Sequence, residues 1–172
     1  MNLIASWPGA AFSVGLIGCR LEVSWKRSGV KEWDEGPGRV MNLWESYPQT
    51  LAAACLALNV FGTGGAGVAT FAAFALLPIV FKVIVLKSRP GSPLGSIAGC
   101  LDHIFRITAK LMIVSDGIQL AIQAPSLLGR VVFFAGAAAG FVFAFGDFSF
   151  TATYALADRR DFYNWCKRTA DL

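Results

Sequence analysis

Six ionisable side chains stand where apolar neighbours would be expected to exclude them. Five share the stretch "GCLDHIFRITAKLMIVSDG", Gly99–Gly117: Asp102, His103 (the chain's single histidine), Arg106, Lys110 and Asp116. The sixth, Asp147, interrupts a phenylalanine-rich run near the C-terminus. On a helix at about 100° per residue, with Asp102 at zero, Arg106 lies near 40°, Lys110 near 80°, His103 near 100°, Asp116 near −40° and Gln123 near −60°. Ile97, Ile104, Ile107, Leu111, Val114, Ile118 and Ile122 take the other side. Asp102 and Arg106 are an i,i+4 pair of opposite sign.

Such a stripe has three readings. It is the wet side of a helix lying in a membrane interface, or it faces other protein and its charges pair, or it lines a water-filled path. Asp147 bears on the choice. A carboxylate deep in an apolar helix costs about 2.5–3.5 kcal/mol on insertion scales. It therefore calls for a partner, and Arg106 or Lys110 is expected to supply it as an intramembrane ion pair.

Little else in the chain resembles catalytic machinery. One histidine excludes a bis-histidine haem within the chain, and also HExxH and most histidine-based metal sites. No GxSxG, Walker loop or dinucleotide fingerprint occurs. "GTGGAG", Gly62–Gly67, has phosphate-loop composition but lacks the lysine and follows an apolar run, so a tight hairpin turn is expected. The four cysteines, Cys19, Cys55, Cys100 and Cys166, are far apart and show no zinc or CxxC spacing. Cys166, beside Lys167 and Arg168, has no base nearby in sequence and reads as a surface cysteine. No enzyme, metal or cofactor is expected, bound lipid apart.

What the chain does offer is helix-packing chemistry. "GAAAG", Gly136–Gly140, is a GxxxG motif, and Ala144 extends its small-residue stripe by four. Missing side chains there let a second backbone approach closely, either inside the monomer or at an oligomer seam. Phe133, Phe134, Phe141, Phe143, Phe145, Phe148 and Phe150 surround it, to face lipid or fill gaps between helices.

Composition sets the elements that must carry these groups. Charged residues make up 15%, against roughly 25% in soluble domains, and the mean hydropathy is +0.57. The deficit is local: no charge occurs from Ser46 to Phe81, from Val131 to Gly146 or from Phe148 to Ala157. Crossing the hydrocarbon of a bilayer takes about 20 apolar residues. The expected fold is therefore an all-α integral membrane protein with four transmembrane helices as two hairpins, over about 40–61, 68–87, 94–123 and 130–157. Pro78 is expected to kink the second. "SRPGSP", Ser88–Pro93, separates the hairpins.

Residues 1–39 form the first of three regions: a short N-terminal apolar or interfacial segment, then a basic cytoplasmic stretch. Its "LIGC" has the form of a lipobox, but Pro8 and the lack of an early basic residue argue against cleavage. Leu21, Val23 and Trp25 alternate with polar residues, which suggests an extended stretch. "GPG", Gly36–Gly38, marks a break. Trp25, Trp33 and Trp44 suit a membrane boundary. The bundle occupies 40–157, and 158–172 is a polar tail.

Threading four helices from an inner 20–39 puts twelve of the fifteen basic residues inside, among them Lys82, Lys87 and Arg89. Only Arg130 falls in an outer loop. That positive-inside bias places both termini on the cytoplasmic or matrix side of a bacterial inner membrane or of a mitochondrial or other organelle inner membrane. If the N-terminal segment also spans, the N-terminus moves outside. The net charge of +4 reports orientation and gives no reason to expect nucleic acid as a partner.

The leading expectation is a non-enzymatic membrane protein acting by helix–helix association, as a structural or assembly subunit of a larger complex or as a homo-oligomer, with lipid and other membrane subunits or itself as partners. The alternative is a small channel, pore or transporter subunit whose polar path is lined by helix 94–123 and Asp147. A third is an anchor subunit of a redox complex with a cofactor or quinone site near His103 and Arg106. "SRPGSP" followed by "HIFRIT" resembles the quinone-side entry of succinate dehydrogenase membrane anchors over Ser88–Thr108 alone. The spacing here is shorter, the expected serine is absent and a full hairpin precedes it.

Overall fold

The computed structural model describes residues 7–27, 47–88 and 92–157, and every element among them is an α-helix. We number these α1 (Trp7–Arg27), α2 (Tyr47–Phe61), α3 (Gly65–Lys87), α4 (Pro93–Gln123) and α5 (Leu127–Ala157). The GPG break, Trp33, Trp44, the tail at 158–172 and its Cys166 lie outside the described residues. So do 40–46, the expected first turns of the helix now seen from Tyr47.

Helix ends follow local chemistry. Gly62 adopts φ +72° just after α2, a left-handed conformation that glycine takes without penalty. The turn is tighter than the six-residue glycine run suggests. Gly65–Gly67 already belong to α3, and the Val68 amide donates to the Gly64 carbonyl at 3.0 Å. At the far end of α3, the Ser88 hydroxyl donates to the Ile84 carbonyl at 2.6 Å. Ser92 caps α4, accepting from the Gly95 amide at 3.1 Å with Pro93 in the first turn, where a proline's missing N–H costs nothing. Ser126 does the same for α5 through the Gly129 amide. Arg130 reaches back and donates to the Ala124 carbonyl at 3.0 Å, placing a cation at the C-terminal end of α4.

Within the bundle α4 is central and packs against all four other helices. Successive helices from α2 to α5 run antiparallel through short connections. Residues 7–27 form a helix, α1, that packs into the bundle antiparallel to α2. Its glycines allow this. A Cβ on Gly15 would lie 2.6 Å from Ile113 Cδ1 and 3.3 Å from Ala52 Cβ, and one on Gly18 would lie 3.0 Å from the Gln49 amide nitrogen. The alternating Leu21, Val23 and Trp25 lie in the last turns of this helix, not in an extended strand.

Two stretches, Gly65–Val85 in α3 and Leu127–Ser149 in α5, are long and apolar enough to cross a membrane. The burial pattern of α4 is the reverse of a soluble amphipathic helix. Ile97, Ile104, Leu111, Ile118 and Ile122 are exposed, while Asp102, His103, Arg106, Lys110 and Asp116 are each 5% exposed or less. Gln123, assigned to the same stripe by angle, is exposed at the helix end.

Candidate functional site: a buried ladder of ionisable side chains

The polar face of α4 is buried and its aliphatic face exposed, and small and aromatic side chains of its neighbours set that rotation. Ala53, Ala54, Phe74 and Ala75 of α2 and α3 close around Ala109. Phe105 is held between Phe74 (centroids 5.3 Å) and Phe81 (5.7 Å), edge to face. These contacts fix the rotation of α4 and so aim its charges.

Starting from the N-terminal end of α4, Arg106 Nη2 donates to Asp102 Oδ2 at 2.5 Å, within the helix and nearly solvent-free. One turn further, Lys110 Nζ pairs with Asp147 Oδ2 on α5. Of the two cations that the sequence offers Asp147, Lys110 is the one it meets. His103 is buried and engaged in the same interior. Asp116, two turns beyond Lys110, is 2% exposed and hydrogen-bonded to Asn59 of α2.

Sequence reasoning missed part of the cluster. Lys82 was assigned to the inner boundary with Lys87 and Arg89; Arg89 lies outside the described residues, but Lys82 is buried at 3% exposure. It sits on α3 between Phe81 and Val85, residues that pack against Phe105 and Ala98 of α4. The signal was available, since "IVFKVIV" isolates one charge in an apolar run much as "AFGDFSF" isolates Asp147. Gln49 and Thr50, also buried, carry no such signal. Gln49 Oε1 accepts from Cys19 Sγ at 3.2 Å, and Thr50 donates to the Tyr47 carbonyl.

The small-residue stripe of α5 lies on its inner side. A Cβ on Gly136 would lie 2.8 Å from Phe12 Cζ and 2.9 Å from Leu16 Cδ1, and one on Gly140 would lie 3.1 Å from Val114 Cγ2. Ala144, one turn on, is 2% exposed. The motif thus seats α1 and α4 of the same chain. Of the surrounding phenylalanines, Phe133 is buried against Phe12, while Phe134, Phe141, Phe145 and Phe148 point outward.

No group of three or more histidine, cysteine, aspartate or glutamate side chains that could hold a metal ion occurs among the described residues. No family model matches the chain, and no curated protein or solved structure matches it either. Its chemistry must be read from its own geometry.

Proposed function

We propose that this is a polytopic membrane protein that conducts protons or small ions along the interior of its own bundle. The observation that carries this reading is the inversion of α4, with its ionisable stripe inside and its aliphatic face outside. An outward surface of leucine, isoleucine, valine and phenylalanine suits lipid. A scaffold does not need charges in such an interior, because well-packed apolar residues in place of a buried ion pair are often as stable or more so. Ionisable groups inside a membrane bundle are by default candidates for a transport path. No catalytic reaction and no cofactor other than lipid is part of this proposal.

In this reading α4 and α5, 31 residues each and so about 46 Å long, cross the membrane with α2 and α3. At 21 residues, α1 is about 31 Å long; its uncharged part, Trp7–Cys19, enters the membrane beside them, with the charged last turns at the inner boundary. Because α1 is antiparallel to α2, its N-terminal end faces outside and its basic C-terminal end inside, in keeping with the positive-inside bias. Either inner membrane, bacterial or organellar, suits this topology. The association reading leaned on Gly136 and Gly140. Both face inward here, so a seam with another subunit or a second copy would have to use a different surface. A redox anchor would need its cofactor to reach His103 and Arg106, both enclosed by the bundle.

The test is flux into liposomes holding the purified protein: of protons, with a potassium gradient and valinomycin as the drive and an internal pH dye as the reporter, and of sodium or potassium, by radiotracer uptake without ionophore. Wild type is expected to dissipate the gradient. The double variant Lys110→Met/Asp147→Leu is expected to fold and to lose the flux. Wild-type liposomes no leakier than empty ones, to protons and to sodium or potassium alike, overturn the proposal.

A further inference from the structure

The ionisable side chains are unevenly spread along the bundle. Lys82, Asp102, His103, Arg106, Lys110 and Asp147 lie between the N-terminal end of α4 and a point just past its middle. Asp116 stands apart, about 9 Å further along the axis than Lys110 at 1.5 Å per residue. It is 2% exposed, and its Oδ2 has no hydrogen-bond partner among the described residues.

The elements around it bring no countercharge. α1 has no ionisable side chain between Trp7 and Gly18, and α3 has none from Gly65 to Phe81. The titratable groups of α2 are Tyr47 and Cys55, and what α2 gives Asp116 is the amide of Asn59. On α5, Arg130 is exposed and donates to the Ala124 carbonyl, and Asp147 is held by Lys110. On α4 itself, Lys110 is thus committed to Asp147 and Arg106 to Asp102.

Access is visible as well. Asn59 is exposed and sits two residues before α2 ends at Phe61. Asp116 therefore lies at about the depth of the Gly62–Gly64 turn, one hydrogen bond from the surface. A buried carboxylate without a counter-ion is a costly arrangement that binding a cation relieves. A proton needs no coordination shell, whereas a metal ion would need several more oxygen ligands, and among the described residues the polar group that meets this carboxylate is Asn59.

We infer that Asp116 is a proton-binding site loaded from the side of the α2–α3 turn, with Asn59 at its mouth. The carboxylate takes one proton from that aqueous side and becomes the neutral acid, and it returns the proton when it ionises. This rests on the reading of the bundle as an ion path and names the species that enters it, but its test needs no transport.

Dicyclohexylcarbodiimide, which is membrane-permeant and reacts with protonated carboxyls in apolar surroundings, is added to the full-length protein in lipid nanodiscs. Adducts are mapped by peptide mass spectrometry across a pH series. The expected result is an adduct on Asp116 that fades as pH rises and is lost in Asp116→Asn, with helicity unchanged. Folded wild type that yields no adduct on Asp116 at any pH overturns the inference. So does protection of Asp116 by sodium at constant pH, which would make the site a metal-cation site. Labelling without liposome flux would uphold this site while sinking the transport proposal. Flux without labelling would do the opposite.

Discussion

Lys110→Met is expected to destabilise the bundle by about 3–5 kcal/mol, the usual cost of leaving one member of a buried ion pair alone. Asp147 is the residue left behind. Its side chain is 21% exposed in the pair, while that of Lys110 is 1% exposed, so the pair is fully buried at its lysine end and partly buried at its carboxylate. Adding Asp147→Leu is expected to return most of the loss, to within about 1 kcal/mol of wild type, because an apolar pair of similar volume needs no solvation. Denaturant titration of the purified protein in mixed micelles, followed by circular dichroism, reads both steps. A double variant no more stable than the single one would mean that Lys110 stabilises the bundle by packing and not by charge.

The second large effect is expected at the seat of α1. Phe12 is 3% exposed and lies between Gly117 of α4 and Gly136 of α5, edge to face with Phe133 at 5.7 Å. No side chain fits at Gly117 while Phe12 is present, since even a Cβ would meet the ring and lie 3.1 Å from Ala137 Cβ. Gly117→Leu is expected to cost about 1–3 kcal/mol as overpacking and to lever α1 away. Cys19, fully buried against Gln49, reports the movement. It is expected to resist N-ethylmaleimide in wild type and to react in Gly117→Leu. Phe12→Ala in the same chain makes room and is expected to restore protection. Equal reactivity of Cys19 in all three proteins would show that α1 is not seated there.

These two sites differ in how far sequence alone reveals them. The ladder was legible because α4 is long and strictly periodic, so one angular projection gathers Asp102, His103, Arg106, Lys110 and Asp116. Which way the stripe faces was not legible. A polar stripe looks the same whether it meets water or the inside of a bundle, and only the small and aromatic partners on α2 and α3 decide. Lys82 was legible as a lone charge in "IVFKVIV", but its position near a helix end, where a lysine ordinarily reaches the boundary, favoured the other reading. The alternation of Leu21, Val23 and Trp25 misled because it is short, and Leu21 and Trp25 are also i,i+4 neighbours on a helix. The role of Gly136 and Gly140 was half visible. The motif signals close approach, but it does not say whether the approaching backbone belongs to the same chain.

The inward turn of the charged face of α4 can be measured directly. Single spin labels at Ile104, Leu111 and Ile118, in protein reconstituted into bilayers, report their collisions with oxygen dissolved in lipid and with a water-soluble nickel chelate. High oxygen and low chelate accessibility are expected at all three positions. Labels that collide freely with the chelate would put this face in water and the charged stripe elsewhere, and the interior path would be contradicted.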